Sequence, residues 1–129
     1  MEKIRAISIQ QPWATLITLR TKTIETRSWK TSYRGDLLIV SSQYPDYNQD
    51  LFPVGVALCI ARLVDVRPMV PTDCFRSLCS YNHLLNSWRL EDIVAIAPFS
   101  VRGMPGLYDV EIRTPDLLQL TEQRKSQGR

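Results

Sequence analysis

A small α+β domain, its sheet curling into a barrel with one early helix and one or two short later ones, is the fold this sequence predicts. Three observations carry that expectation. The 129 residues are enough chain for one hydrophobic core and too few for two. A composition of 44% hydrophobic and 22% charged residues is that of an ordered globular chain. Short runs with strand alternation outnumber helical patterns, and the clear helical pattern comes early.

Residues 4–9 (IRAISI) read as a first strand. Gln11-Pro12 then starts a helix, since proline at a first helical position gives up no hydrogen bond. Trp13, Leu16 and Ile17 fall at i, i+3 and i+4, a spacing that predicts a core-facing stripe ending near Arg20-Thr21. Residues 23–29 (TIETRSW) read as a second strand with Glu25, Arg27 and Trp29 on one face. Tyr33-Arg34-Gly35-Asp36 is turn chemistry, and residues 37–41 form a buried strand. Residues 42–53 are polar, hold two prolines and read as a surface loop. Residues 54–66 alternate bulky with small side chains, as in a strand packed tightly on one side, and Pro68 and Pro71 close it. Residues 72–80 suit a short helix capped by Thr72, and 81–90 carry no decisive pattern. Residues 92–97 and 107–112 are two more strands, joined through Arg102-Gly103-Met104-Pro105-Gly106. The domain is expected over 1–120, with 121–129 a polar, fraying tail.

The net charge of +3 is unevenly placed. Residues 1–35 hold seven basic and two acidic side chains, a local charge of +5, while the remaining 94 carry nine basic and eleven acidic ones. Arginine outnumbers lysine twelve to four; its planar fork suits phosphates and base stacking, though a compositional habit of the source would give the same count. No apolar run approaches the ~18 residues of a membrane helix, and no basic-then-apolar leader opens the chain, so neither membrane nor secretion is expected. The odd count of three cysteines predicts free thiols in a reducing compartment, the cytoplasm. Cys74, Cys79 and His83 form C-x4-C-x3-H, but paired knuckles are absent and Cys59 sits in a strand, so no metal or other cofactor is expected. Hydrolase and nucleotide-loop motifs are absent, and a Cys79–His83 pair would need an uninterrupted helix.

The densest polar cluster is Lys22-Thr23-Ile24-Glu25-Thr26-Arg27-Ser28-Trp29. Glu25 and Arg27, on one strand face, can pair; a carboxylate held beside arginine stays charged and can accept an N–H from a base. Trp13 and Trp29 offer stacking faces, and Lys30 and Arg34 follow where phosphates would lie. A solvated face with a surface ion pair, and a Trp13 in the core, account for the same residues. In an unbroken strand Lys22 and Glu25 face opposite sides, so their convergence requires Lys22 in a turn or a bulge between them.

Three ordered stretches, residues 7–14 (ISIQQPWA), Lys22-x-x-Glu25-x-Arg27-Ser28-Trp29 and Tyr33-Arg34-Gly35-x-Leu37-x-Ile39, resemble the ASCH domain family, as does Arg102-Gly103-x-x-Gly106-Leu107-Tyr108 near the C-terminus. The resemblance covers residues 4–41, 54–66 and 92–112. It implies a PUA-like fold, and a cleft beside the first helix formed by Lys22, Glu25 and Arg27, with Trp13, Ser28 and Trp29 lining or supporting it. It implies a nucleic-acid-binding module, RNA before DNA, that recognises one base, with Arg20, Lys30 and Arg34 meeting phosphates. Some bacterial relatives hydrolyse N4-acetylcytidine with a Lys, a Thr and a Glu, and ribonuclease activity is also attributed to the family. In an enzyme of that kind Lys22 and Glu25 would be the catalytic pair. Glu25 stands where that subset has threonine, and Arg20 stands where the signature has glycine, so both the triad and the helix exit depart from the pattern.

Overall fold

A computed structural model describes residues 1–43 and 52–126. Its elements are β1 (Glu2–Ile9), α1 (Trp13–Thr18), β2 (Ile24–Arg27), β3 (Gly35–Ser41), β4 (Val56–Pro68), a 3-10 turn (Pro71–Asp73) running into α2 (Cys74–Ser77), β5 (Asn86–Ser100), β6 (Leu107–Ile112) and α3 (Thr114–Ser126). The strands form one mixed sheet in the order β2-β5-β4-β3-β1-β6, parallel only between β1 and β3. The sheet is open: β2 and β6 are its edges, so the barrel expected from the sequence is not closed by hydrogen bonds among the described residues. Register shifts between Ile39 and Val40 and at three points between β4 and β5 are bulges, which bend strands and sharpen their twist.

Both faces of this sheet are buried, which the small side of 54–66 does not announce. Ile7, Ile9, Leu37, Ile39, Cys59 and Ala61 pack with Ala14 and Ile17 of α1. Ile4, Ala6, Leu38, Val40, Ile60 and Val94 pack with Leu120 of α3. The small side chains of β4 are thus room for a helix, not an outer surface. The apolar stripe of α1 is also rotated from the one expected. Ala14 and Ile17 are its buried residues, whereas Trp13 lies at the rim, 37% exposed.

Gln11, 1% exposed, holds the start of α1. Its Oε1 accepts the Thr15 N–H at 2.9 Å and its Nε2 donates to Pro53 O at 2.8 Å. The far end closes in a Schellman turn: Thr21 N–H bonds Leu16 O at 3.0 Å and Arg20 N–H bonds Ile17 O at 2.9 Å. Arg20 itself takes the left-handed conformation, φ 66°, so the turn survives without the signature glycine. Its guanidinium turns to β5, where Nε donates to Ile93 O at 3.1 Å. A left-handed side-chain residue costs about 1–2 kcal/mol. Arg20→Gly is therefore expected to be more stable than Arg20→Ala by about 1 kcal/mol in urea denaturation, since both lose the Ile93 bond but only alanine keeps the strain.

The helix expected over 72–80 is shorter and differently capped. Thr72 caps nothing; Asp73 accepts the Val70 N–H at 3.0 Å, the Ser87 hydroxyl at 2.8 Å and two Arg67 bonds at 2.7 and 2.9 Å. α2 ends at Leu78, also left-handed at φ 58°. Of residues 81–90, left open by pattern, 86–90 begin β5. Of the loop expected over 42–53, residues 44–51 lie outside the described residues, as do 127–129 of the polar tail. Residues 121–126 continue α3, where Arg124 donates to Asp36 at 2.8 Å and to Asp92 O at 3.2 Å. No helix among the described residues is long and apolar enough to cross a membrane.

Candidate functional site

Lys22 lies in the turn after α1, ahead of β2, and that placement lets it converge with Glu25 across what an unbroken strand would separate. Its backbone is fixed by a bond to Leu16 O at 3.1 Å. Its side chain, 3% exposed, runs inward to donate to Ser77 O on α2 at 2.5 Å. The Glu25 carboxylate sits between two cations, with Oε1 3.6 Å from Lys22 Nζ and Oε2 3.1 Å from Arg27 Nε. The ring of Trp13 faces the ammonium, 5.4 Å from its centroid. Arg27 is anchored by Nη2, which donates to Ser8 O at 2.6 Å. Its Nε is buried and, despite the short approach to Glu25, has no aligned hydrogen-bond acceptor among the described residues.

These groups open onto a cavity of about 380 Å³. Ile9, Gln10, Thr26 and Cys79 complete its lining beside Trp13, Lys22, Glu25 and Arg27. Strand alternation puts Thr26 on the face away from Glu25, yet both line the cavity. β2 is an edge strand, and Thr26 Oγ1 lies 3.7 Å from the Sγ of Cys79, just beyond α2. Cys79 Sγ is also 3.3 Å from the Ser77 hydroxyl.

The other sequence candidates lie elsewhere. Trp29 packs edge-on against the buried Trp88, centroids 4.8 Å apart, and its carbonyl accepts the Trp88 indole N–H at 3.3 Å. It braces the core behind the cleft and offers no stacking face to it. Ser28, Lys30 and Arg34 are exposed and outside the lining; Arg34 folds back on Thr31 O and Tyr33 O, both at 2.8 Å. Arg20 points to β5, as described. The sequence gives no local sign of Cys79 or of the Ser77 carbonyl, which arrive from a segment more than fifty residues away.

Burial pulls the Lys22 ammonium below its ordinary 10.5; Glu25 and Cys79 oppose that shift, and Arg27 adds to it. The cleft thus presents one acceptor flanked by two cationic donors, with a net charge of +1 over Lys22, Glu25 and Arg27. Charge-assisted bonds at such a place are worth about 1.5–3 kcal/mol each.

Among the described residues no three of His, Cys, Asp and Glu lie close enough to share a metal ion. Cys59 faces α1 in the core, and burial pushes its thiol up to about 12. Cys74 and Cys79 are partly exposed, and His83 lies exposed beyond them. A thiol reagent at pH 8 is expected to label Cys79 and Cys74 in the folded protein and Cys59 only in denaturant. A ligand filling the cleft is expected to slow labelling of Cys79 and not of Cys74, as peptide mass mapping would read directly.

The model of the ASCH domain matches residues 7–122. Among solved structures, the ASCH protein of Zymomonas mobilis superposes with a TM-score of 0.62 at 16% identity, covering 92% of this chain and 93% of that one. A Tyr-to-Phe mutant of the Zymomonas mobilis protein gives 0.62 at 14% identity over 92% and 96%, and a Ser-to-Ala mutant 0.61 at 15% over 92% and 94%. A search of curated proteins finds no match.

Proposed function

From the premise that this chain belongs to the ASCH domain family, we propose that it is a nucleic-acid-binding module that takes one base of an RNA strand into the Lys22–Glu25–Arg27 cleft. The observation that carries this reading is the buried Glu25 acceptor between two cations, one of which keeps a buried N–H without an acceptor. The Glu25 carboxylate can take the amino hydrogens of a base such as cytosine, and one flanking cation can meet the ring acceptor beside them. Trp13 supplies a flat face at the rim, and stacking adds ~1–3 kcal/mol per base. An unpaired base is reachable in single-stranded RNA, which favours that polymer over a duplex.

The test is a titration with cytidine followed by backbone amide shifts. The expected result is saturable movement confined to residues 9–10, 13, 22–27 and 79. Shifts scattered elsewhere, or none at millimolar cytidine, would sink the reading. Affinity for a short single-stranded oligoribonucleotide should also fall as salt rises.

A second reading, hydrolysis of N4-acetylcytidine, draws on one observation. Lys22, with its proton affinity lowered, shares the cavity with both Glu25 and the Thr26 hydroxyl. Release of acetate and cytidine by the wild type, lost in Lys22→Ala, would select it over plain binding.

A further inference from the structure

Thr23, the residue after Lys22, faces a different space. Its backbone is tied on both sides: its N–H donates to Arg76 O at 3.0 Å and its carbonyl accepts the Leu90 N–H at 2.9 Å. It lines a second cavity of about 480 Å³, walled by Arg67, Arg76 and Arg89, with Asp73 and Glu91 beside them. The Thr23 hydroxyl is buried and has no hydrogen-bond partner among the described residues. A buried polar atom left so is costly, and a site built around one asks for a ligand.

The charges decide which ligand. Asp73 is taken by its two bonds to Arg67. Glu91 lies 3.0 Å from Arg89 and 3.7 Å from Arg62. Arg76 makes no ion pair among the described residues. The cavity therefore carries three positive and two negative side chains, with one guanidinium and one hydroxyl unmatched. Both are donors that fit an oxyanion: Arg76 reaches the cavity directly, and the Thr23 hydroxyl, closed off in its wall, would meet one through a side-chain rotation. We propose that this cavity is a phosphate site, and that the phosphate it takes belongs to the RNA strand whose base lies in the neighbouring cleft. The source of the phosphate rests on the reading of the cleft given above; the phosphate chemistry does not.

Three features favour a polynucleotide over a free phosphate. Lys22 and Thr23 are consecutive, so one residue of backbone separates the two cavities. α2 serves both, giving the Ser77 carbonyl to Lys22 and Arg76 to the second cavity. Phe75, beside Arg76, is 86% exposed and offers a stacking face for a flanking base. A single base in the cleft, with a stack and two charged bonds against the entropy of association, binds weakly, and backbone contacts would supply the rest.

The test compares the wild type with a Thr23→Val, Arg76→Ala double variant against three probes. Inorganic phosphate is expected to shift the amides of residues 23 and 76 saturably in the wild type and not in the variant. A short oligoribonucleotide is expected to bind the variant roughly tenfold more weakly. Its log-affinity against log-salt slope should become shallower by about 0.7, one phosphate fewer on a single strand. Cytidine is expected to bind both proteins equally. Unmoved amides at 23 and 76 would overturn the site. Phosphate shifts with oligonucleotide affinity and slope unchanged would overturn the polynucleotide source. Cytidine failing to perturb the Lys22 cleft would sink the functional reading alone, because the phosphate titration reads the second cavity directly.

Discussion

Lys22→Met is expected to weaken cytidine binding by about 10- to 100-fold, the worth of one charge-assisted hydrogen bond. Methionine keeps most of the buried volume and removes the ammonium, so the loss reports charge and not shape. Stability should fall by less than the removal of a buried ion suggests. The Ser77 carbonyl loses its donor, about 1–3 kcal/mol, but the cost of burying an ammonium disappears with it. A net loss of about 1–2 kcal/mol in urea denaturation is expected. The pH dependence separates the two effects. Because burial lowers the folded-state affinity of Lys22 for its proton, the unfolded chain binds the proton more tightly between that lowered value and 10.5. In that window the wild type gains stability relative to Lys22→Met as pH rises. Cytidine affinity of the wild type moves the opposite way, falling as the ammonium is lost. A parallel fall of both quantities would show that Lys22 holds the fold by its charge alone.

Asp73→Ala is the second large expectation, a loss of about 2–3 kcal/mol. Asp73 is 4% exposed and accepts from Val70, Ser87 and Arg67. The pair with Arg67 is partly solvated and contributes ~0–1 kcal/mol. Most of the cost comes from the Val70 N–H and the Ser87 hydroxyl, left without their acceptor. Arg67 and these hydrogen bonds hold the Asp73 carboxyl far below the usual carboxylate range, against the opposing effect of burial. The sign follows: its stabilisation is complete above the unfolded value near 3.8 and fades as pH drops below it. The stability gap between wild type and Asp73→Ala should therefore narrow in acid and stay constant from pH 5 to 7. Cytidine affinity should fall as well, although Asp73 does not line the cleft. Asp73 fixes the turn that leads into α2, and α2 supplies the carbonyl that orients Lys22. Unchanged affinity in a destabilised but folded variant would break that link.

The strands with apolar runs of strand length were legible from the chain. β1 and β3 are short apolar runs, β4 largely alternates bulky with small side chains, and their strand assignment needs little else. The start of β5 was not, because Asn86 and Ser87 look like loop residues. They are buried, and their side chains donate to Arg27 O and Asp73, partners that no local pattern reveals. The last helix was missed because its apolar residues are few and Leu118 faces solvent. A Thr114-Pro115-Asp116 start was the signal available. At the cleft, the K-x-x-E-x-R spacing named three groups that do meet. Trp29 takes the supporting place and not the stacking one, a choice the sequence left open because an exposed aromatic and a core indole look alike until Trp88 is placed beside it. The +5 charge of residues 1–35 was a poorer guide than it looked. Arg5 pairs with Asp109, and Arg20 and Arg34 bond to main-chain carbonyls away from the cleft.

β2 has one hydrogen-bonded neighbour, β5, and the pairing joins Ile24 to Arg89 and Arg27 to Asn86. During synthesis, Glu25 and Arg27 are made some sixty residues before the strand that pairs with theirs. β1 gains its second neighbour, β6, later still. The cleft therefore cannot close before β5 is made, and its loop-closure entropy falls due in that one step. A chain interrupted between α2 and β5 would hold every charged residue of the cleft without the strand that fixes Glu25 and Arg27 in place.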